Sequence, residues 1–188
     1  TTLRPYVLRL AEKLQITEEE TYEAIRSRYD GYHFCENGED IYNPFSLVNA
    51  LSDMCLRDYW NESGPNKMLM DAVDTIGWDD TDFDNIFVDK RELEGSDVNT
   101  TDLALFMYQS GYLTIKNSTK RDYILGVPNM EVKYAIGKQI LPRLVVKKPK
   151  DVDSNIRLVY DNLESLNIAG AMEALKALVA DTPYSQDN

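Results

Sequence analysis

Gly111-Tyr-Leu-Thr-Ile-Lys116 and, after a polar turn, Tyr123-Ile-Leu-Gly-Val-Pro128-Asn-Met-Glu-Val132 form the stretch on which the fold turns. Gly111 follows a short apolar run and reads as a helix C-cap, because glycine alone enters left-handed backbone without penalty. Tyr112 to Ile115 and Tyr123 to Val127 are rich in β-branched and aromatic residues and read as the two strands of one hairpin. Asn129 then stands where a helix cap belongs, and Val132, Ile136 and Ile140 continue at helical spacing until Pro142 stops or kinks the run.

Upstream, Thr101-Asp102 opens a compact helix, Leu103 to Tyr108, that is apolar nearly all round and therefore belongs inside. Before it, positions 74 to 102 hold ten acidic residues against Lys90 and Arg91. This reads as a solvated surface with Ile86-Phe-Val88 pinned inward. Lys67 to Ile76 predicts a short helix. Asn43-Pro44 is a strong helix start, and the helix covers Phe45 to about Leu56 with a wide apolar face of Leu47, Val48, Leu51, Met54 and Cys55. Two further helices precede it. Tyr6, Val7, Leu10, Ala11 and Leu14 line the first; Tyr22, Ile25 and Tyr29 line the second, whose start is marked by Thr17 and Glu20 as a capping box. Between them and Asn43, Asp30-Gly31 predicts a tight turn.

Downstream, Val146-Lys-Lys-Pro-Lys150 has no apolar period and reads as a linker or an exposed basic turn. Val152, Ile156, Val159 and Leu163 form one new helical face; Ile168, Met172, Leu175, Leu178 and Val179 form another. The expectation is a mainly α chain: a helical domain with a winged-helix-like subdomain carrying one β-hairpin. Its parts are a helical region at 1–98, the hairpin subdomain at 99–148 and a helical linker at 149–188.

The chain has 188 residues and a formal net charge of −12, which disfavours unspecific attraction to nucleic acid or to an anionic membrane. No apolar run is long enough to span a bilayer. Cys35 and Cys55 form no CxxC pair, which fits a reduced, cytoplasmic setting. No phosphate-binding GxxxxGK[ST] or GxGxxG occurs. His33 is the one histidine, flanked by Asp30 and Cys35, too few ligands for a zinc site and no partner for a nucleophile. Glu131-Val-Lys133 matches the end of a cation-dependent nuclease pattern, but at a helix start rather than along a sheet. These residues supply no catalytic, cofactor or metal site.

Charge is unevenly spread. Lys116, Lys120, Arg121, Lys133, Lys138, Arg143, Lys147, Lys148 and Lys150 face only Asp122 and Glu131 between Thr114 and Lys150, a local excess of +7. Such a region docks on an acidic neighbour or adjoining domain, touches phosphate as the wing and helix of a winged helix do, or is a plain solvated surface.

Several ordered motifs carry a resemblance. They are Tyr29-Asp30-Gly31-Tyr32-His33-Phe34, Ile41-Tyr42-Asn43-Pro44, Tyr59-Trp60 with Glu62-Ser-Gly64, Tyr108-Gln-Ser-Gly111-Tyr112, and Val127-Pro128-Asn129. Together they resemble the C-terminal part of the bacterial AAA-ATPase-like proteins, in which a P-loop core precedes a DUF1703-type domain of the PD-(D/E)XK nuclease superfamily. The resemblance implies that ATP and Mg²⁺ belong to a domain before Thr1 and nuclease acids to a domain after Asn188. It makes these two domains the expected partners and this chain a non-catalytic module between them. The rival expectations are a nucleic-acid-binding winged-helix-like module and a small metal-dependent enzyme using the acidic face.

Overall fold

Three local signals set the first three helices. Pro5 lies in the first turn of α1, Arg4–Leu14, which ends where Gln15 takes left-handed backbone at φ 58°. Thr17 Oγ1 accepts the Glu20 N–H at 3.1 Å and Glu20 Oε2 accepts the Thr17 N–H at 2.8 Å, closing the capping box of α2, Glu18–Tyr29. Asn43 Oδ1 accepts the N–H groups of Phe45 and Ser46, and Pro44 opens α3, Pro44–Asp53. In the computed structural model, residues 3–36, 38–60, 69, 83–95, 103–145 and 148–180 are described. The expected helix at 67–76 and most of the acidic run lie outside these residues.

The helices α1, α2 and α3 meet in a core of Val7, Leu10, Ile25, Tyr29, Ala50, Leu51 and Tyr59. The Tyr29 hydroxyl is satisfied inside it, donating to the Arg57 carbonyl at 2.9 Å and accepting the Arg57 N–H at 3.1 Å. The apolar face of α3 is narrower than its sequence predicts. Met54 adopts φ 50° and ends the helix, while Val48 and Cys55 lie exposed.

The chain is mainly helical with one small antiparallel sheet, and that sheet has three strands rather than a lone hairpin. β1, Ile86–Asp89, is followed by the short helix α4, Lys90–Glu94, and by α5, Leu103–Gln109. The hairpin strands are β2, Thr114–Ser118, and β3, Asp122–Gly126, and the order is β1-β3-β2. Ile86 pairs with Leu125 and Val88 with Tyr123, so the expected inward pinning of 86–88 is strand pairing. Val88 is buried and Phe87 exposed, the alternation of a half-buried strand. The β2–β3 register slips between Ile115 and Asn117, which leaves Lys116 as a bulge.

Gly111 has φ +79°, and after it the Tyr112 and Leu113 N–H groups both return to the Met107 carbonyl. α6, Met130–Leu144, runs through Pro142. α7, Pro149–Glu164, and α8, Ile168–Val179, form an extensively contacting pair. The chain divides into two units, 1–135 and 136–188, within α6. In the second unit Val145, Val152 and Leu178 form a small core edged by Leu141 and Ile156. Of the face expected on α8 only Leu178 is buried, together with Ala171 and Ala174, whereas Ile168, Met172, Leu175 and Val179 are exposed.

Among the described glycines, Gly31 has the closest approach of another backbone segment. It has φ +94°, and a Cβ there would lie 2.2 Å from the Pro128 carbonyl oxygen. Gly31→Ala is therefore expected to cost at least about 2 kcal/mol, from left-handed strain plus the clash. Gly137 in α6 has no atom within 4 Å of its would-be Cβ. Gly137→Ala is expected to stabilise by about 0.5–1 kcal/mol. Urea unfolding of the two variants beside the parent chain measures both; equal stabilities would contradict the Gly31 geometry.

Candidate functional site

The motif segments converge on one buried carboxyl. Asn129 precedes α6, and its Oδ1 accepts the Val132 N–H at 3.1 Å, as the cap reading of the sequence expects. Its amide donates to the Asp30 carbonyl at 2.9 Å, joining α6 to the tight turn. Glu131 follows in the first helical turn, where a negative charge favours the helix dipole. It is fully buried, and its Oε1 accepts the Trp60 N–H at 2.9 Å. Loss of water raises the Glu131 pKa. The Trp60 N–H, the Ser46 hydroxyl and the Tyr59 N–H pull it partly back, and Asp58 pushes it further up. The Ser46 hydroxyl is near enough to favour the anion without a hydrogen bond of standard geometry, since its oxygen and Glu131 Oε2 both lack such a bond among the described residues.

Around this carboxyl the turn is held by main chain. Tyr32 and Ile41 exchange both N–H···O bonds, at 3.1 and 2.8 Å, and the Asn43 N–H donates to the Tyr29 carbonyl at 2.8 Å. The His33 N–H donates to Thr114 Oγ1 at 2.6 Å, and that hydroxyl donates to the His33 carbonyl at 2.8 Å. The His33 ring lies 3.1 Å from the Asp40 carboxylate. Among the described residues no group of three or more His, Cys, Asp or Glu could hold a metal. Both cysteines are free and exposed.

An open groove of about 250 Å³ lies over the turn. Its lining is mainly aromatic and apolar, from Tyr32, Phe34, Ile41, Tyr42, Pro44 and Trp60, with Asn43 and Gly111 also lining it. The Trp60 ring meets Tyr112 edge-on with centroids 4.7 Å apart, and Tyr32 stacks on Phe34 at 6.1 Å. The Tyr32 hydroxyl donates to the Gly111 carbonyl at 3.3 Å, and burial raises its pKa. Desolvation, followed by the Asp30 charge, raises that of Tyr42. The groove can take apolar side chains and offers few polar contacts to fix a small ligand.

The basic residues fall in both units, and each is described within its own. At the bulge, Lys116 Nζ donates to the Pro128 carbonyl at 3.1 Å, and desolvation lowers its pKa against the pull of Asp40 and Asp84. Lys120 and Arg121 stand exposed at the turn of the hairpin. Lys133 lies 3.5 Å from Asp84. Lys138 and Lys148 are exposed in the second unit, whereas Lys147 and the Arg143 side chain lie outside the described residues. Among the described residues no helix is long and apolar enough to cross a membrane.

The Glu131 node is what sequence reasoning missed. Glu131 drew attention only as part of a nuclease-like spacing. A glutamate two residues after a capping asparagine ordinarily points to water, and its pairing with Trp60 spans 71 positions.

No family model matches the chain, and no solved structure matches it. It is 28% identical over 164 residues to a protein of Azotobacter chroococcum mcd 1 described as "Uncharacterized protein in vnfD 5'region". The match covers 85% of this chain and 31% of that relative, so the chain spans about a third of the relative's length. That relative's name assigns no activity, and the geometry of the node carries the chemical argument.

A carboxyl whose folded pKa lies above its unfolded value binds more protons in the folded state. Its contribution therefore weakens stability as pH rises from the unfolded pKa through the folded one. Glu131→Gln keeps an acceptor for the Trp60 N–H and removes the charge. Its melting temperature relative to the parent chain should climb between pH 4.5 and 8, whereas Glu131→Ala should melt lower throughout. Thermal unfolding followed by circular dichroism reads this, and a gap between Gln variant and parent that shrinks with pH would refute the assignment.

Proposed function

We propose that this chain is a non-catalytic docking module of a longer polypeptide of the ATPase–nuclease type, passing conformational state between its neighbours. The observation that carries the reading is the Glu131 node. The polar side chains of the motif segments hold backbone: Asn129 ties Asp30 to α6, Glu131 holds the 59–60 main chain, and Lys116 holds Pro128. Three separate segments are thereby linked to the start of one helix that continues into the second unit, an arrangement suited to transmitting a shift. The relative's greater length agrees with it. The coupling to nucleotide state rests on the motif resemblance, an argument by analogy.

A second reading, a winged-helix-like module on nucleic acid, is favoured by one observation: Lys120 and Arg121 stand exposed at the hairpin turn, the place of a wing.

Titration of the 188-residue chain against fluorescent duplex DNA at low and moderate salt separates the two. The docking reading expects no binding, and no hydrolysis of ATP or DNA with Mg²⁺ present. Salt-sensitive binding lost in Lys120→Glu/Arg121→Glu would replace it with the wing reading. In the complete gene product, Glu131→Gln should leave nucleotide affinity within about twofold and change the hydrolysis rate; an unchanged rate would count against transmission through the node.

A further inference from the structure

The helix α8 has two apolar faces. Ala171, Ala174 and Leu178 are buried, and Leu178 belongs to the small core of the second unit. Ile168, Met172, Leu175 and Val179 recur at spacings of four, three and four, and are 59%, 49%, 41% and 51% exposed. At 100° per residue these four fall in one row beside the buried one, so apolar side chains cover roughly half the helix. A single exposed leucine needs no explanation, but an unbroken row marks a contact surface. Among the described residues the core cluster of the unit is small, Val145, Val152 and Leu178.

We infer that this row is the docking face for the folded segment that follows Asn188 in a longer polypeptide, which lays an apolar helix or sheet face along it. The inference rests on the reading of the chain as part of a longer protein. Two observations choose this occupant. The matched stretch is 31% of the relative, so most of that protein lies outside it. The row also runs to Val179 at the helix end, and elements adjacent in sequence usually pack together. A second copy fits less well. A symmetric pair through a 12-residue row, about 18 Å long, falls short of the ~1,200 Å² that a specific interface buries. Lys176 is exposed and borders the row on the same helix.

Amide hydrogen exchange over 168–179 tests this, comparing the 188-residue chain with the complete gene product. The expected result is exchange at least about tenfold slower in the complete product, with that added protection lost in Met172→Glu/Leu175→Glu. Circular dichroism of the same variant in the 188-residue chain should show the helices intact; if it does not, Met172→Ser/Leu175→Ser replaces it. A longer product with no added protection would overturn this inference and leave the docking-module reading standing. A reading frame that ends at Asn188 would remove both. Sedimentation showing a dimer of the 188-residue chain that the variant dissolves would assign the row to a second copy and overturn the inference. Added protection in a product whose hydrolysis rate ignores Glu131→Gln would sustain the inference while removing transmission through the node.

Discussion

The carbonyl of Pro128 lies against Gly31 with no room for a side chain, and the first unit is arranged around that approach. It brings the start of α6 onto the turn that leaves α2. Asn129 can then bond the Asp30 carbonyl and cap its own helix with the other end of one amide. Lys116 reaches the same Pro128 carbonyl only because β2 bulges at that residue. Glu131, in the first turn of the helix, is buried and faces the 59–60 backbone. Each bond is individually worth about 1 kcal/mol, but the buried groups are costly to leave unmet, so the set holds together or fails together.

A buried carboxyl is an uncomfortable way to hold main chain. Its charge is resisted by burial and by Asp58, and one of its oxygens lacks a hydrogen bond of standard geometry among the described residues. Such a group stores a preference that a small shift of Trp60 or Ser46 would change. The aromatic groove contains Trp60 in its wall, so the node and the groove share a residue. The basic residues play a different part from the one their sequence clustering invites. Lys116, though an exposed residue, commits its ammonium to the Pro128 carbonyl and Lys133 has an acidic neighbour, while Lys120 and Arg121 stand exposed at the hairpin turn.

The second unit shows the opposite economy. Its two long helices contact each other extensively, yet one apolar row of α8 is left facing outward. Ala171, Ala174 and Leu178 are buried, and Ile168, Met172, Leu175 and Val179 are carried on the exposed side.

Local chemistry was legible in the residues themselves. The capping box at Thr17 and Glu20, the Asn43-Pro44 start, the Asn129 cap, the Gly111 stop and the hairpin all act within a few positions, so pattern alone determined them. What it could not supply was anything that depends on partners far along the chain. Ile86-Phe-Val88 became a strand only by pairing with residues some forty positions on, and the bulge at Lys116 belongs to the β2–β3 register, which the residue pattern does not specify. The row on α8 was recognised as apolar, but periodicity cannot say which of two adjacent apolar faces is buried. Glu131 is the clearest case. Its sequence position determined a helix start, but only the packing of Trp60, Ser46 and the turn at Gly31 removed its water, and with it set the charge balance of the node.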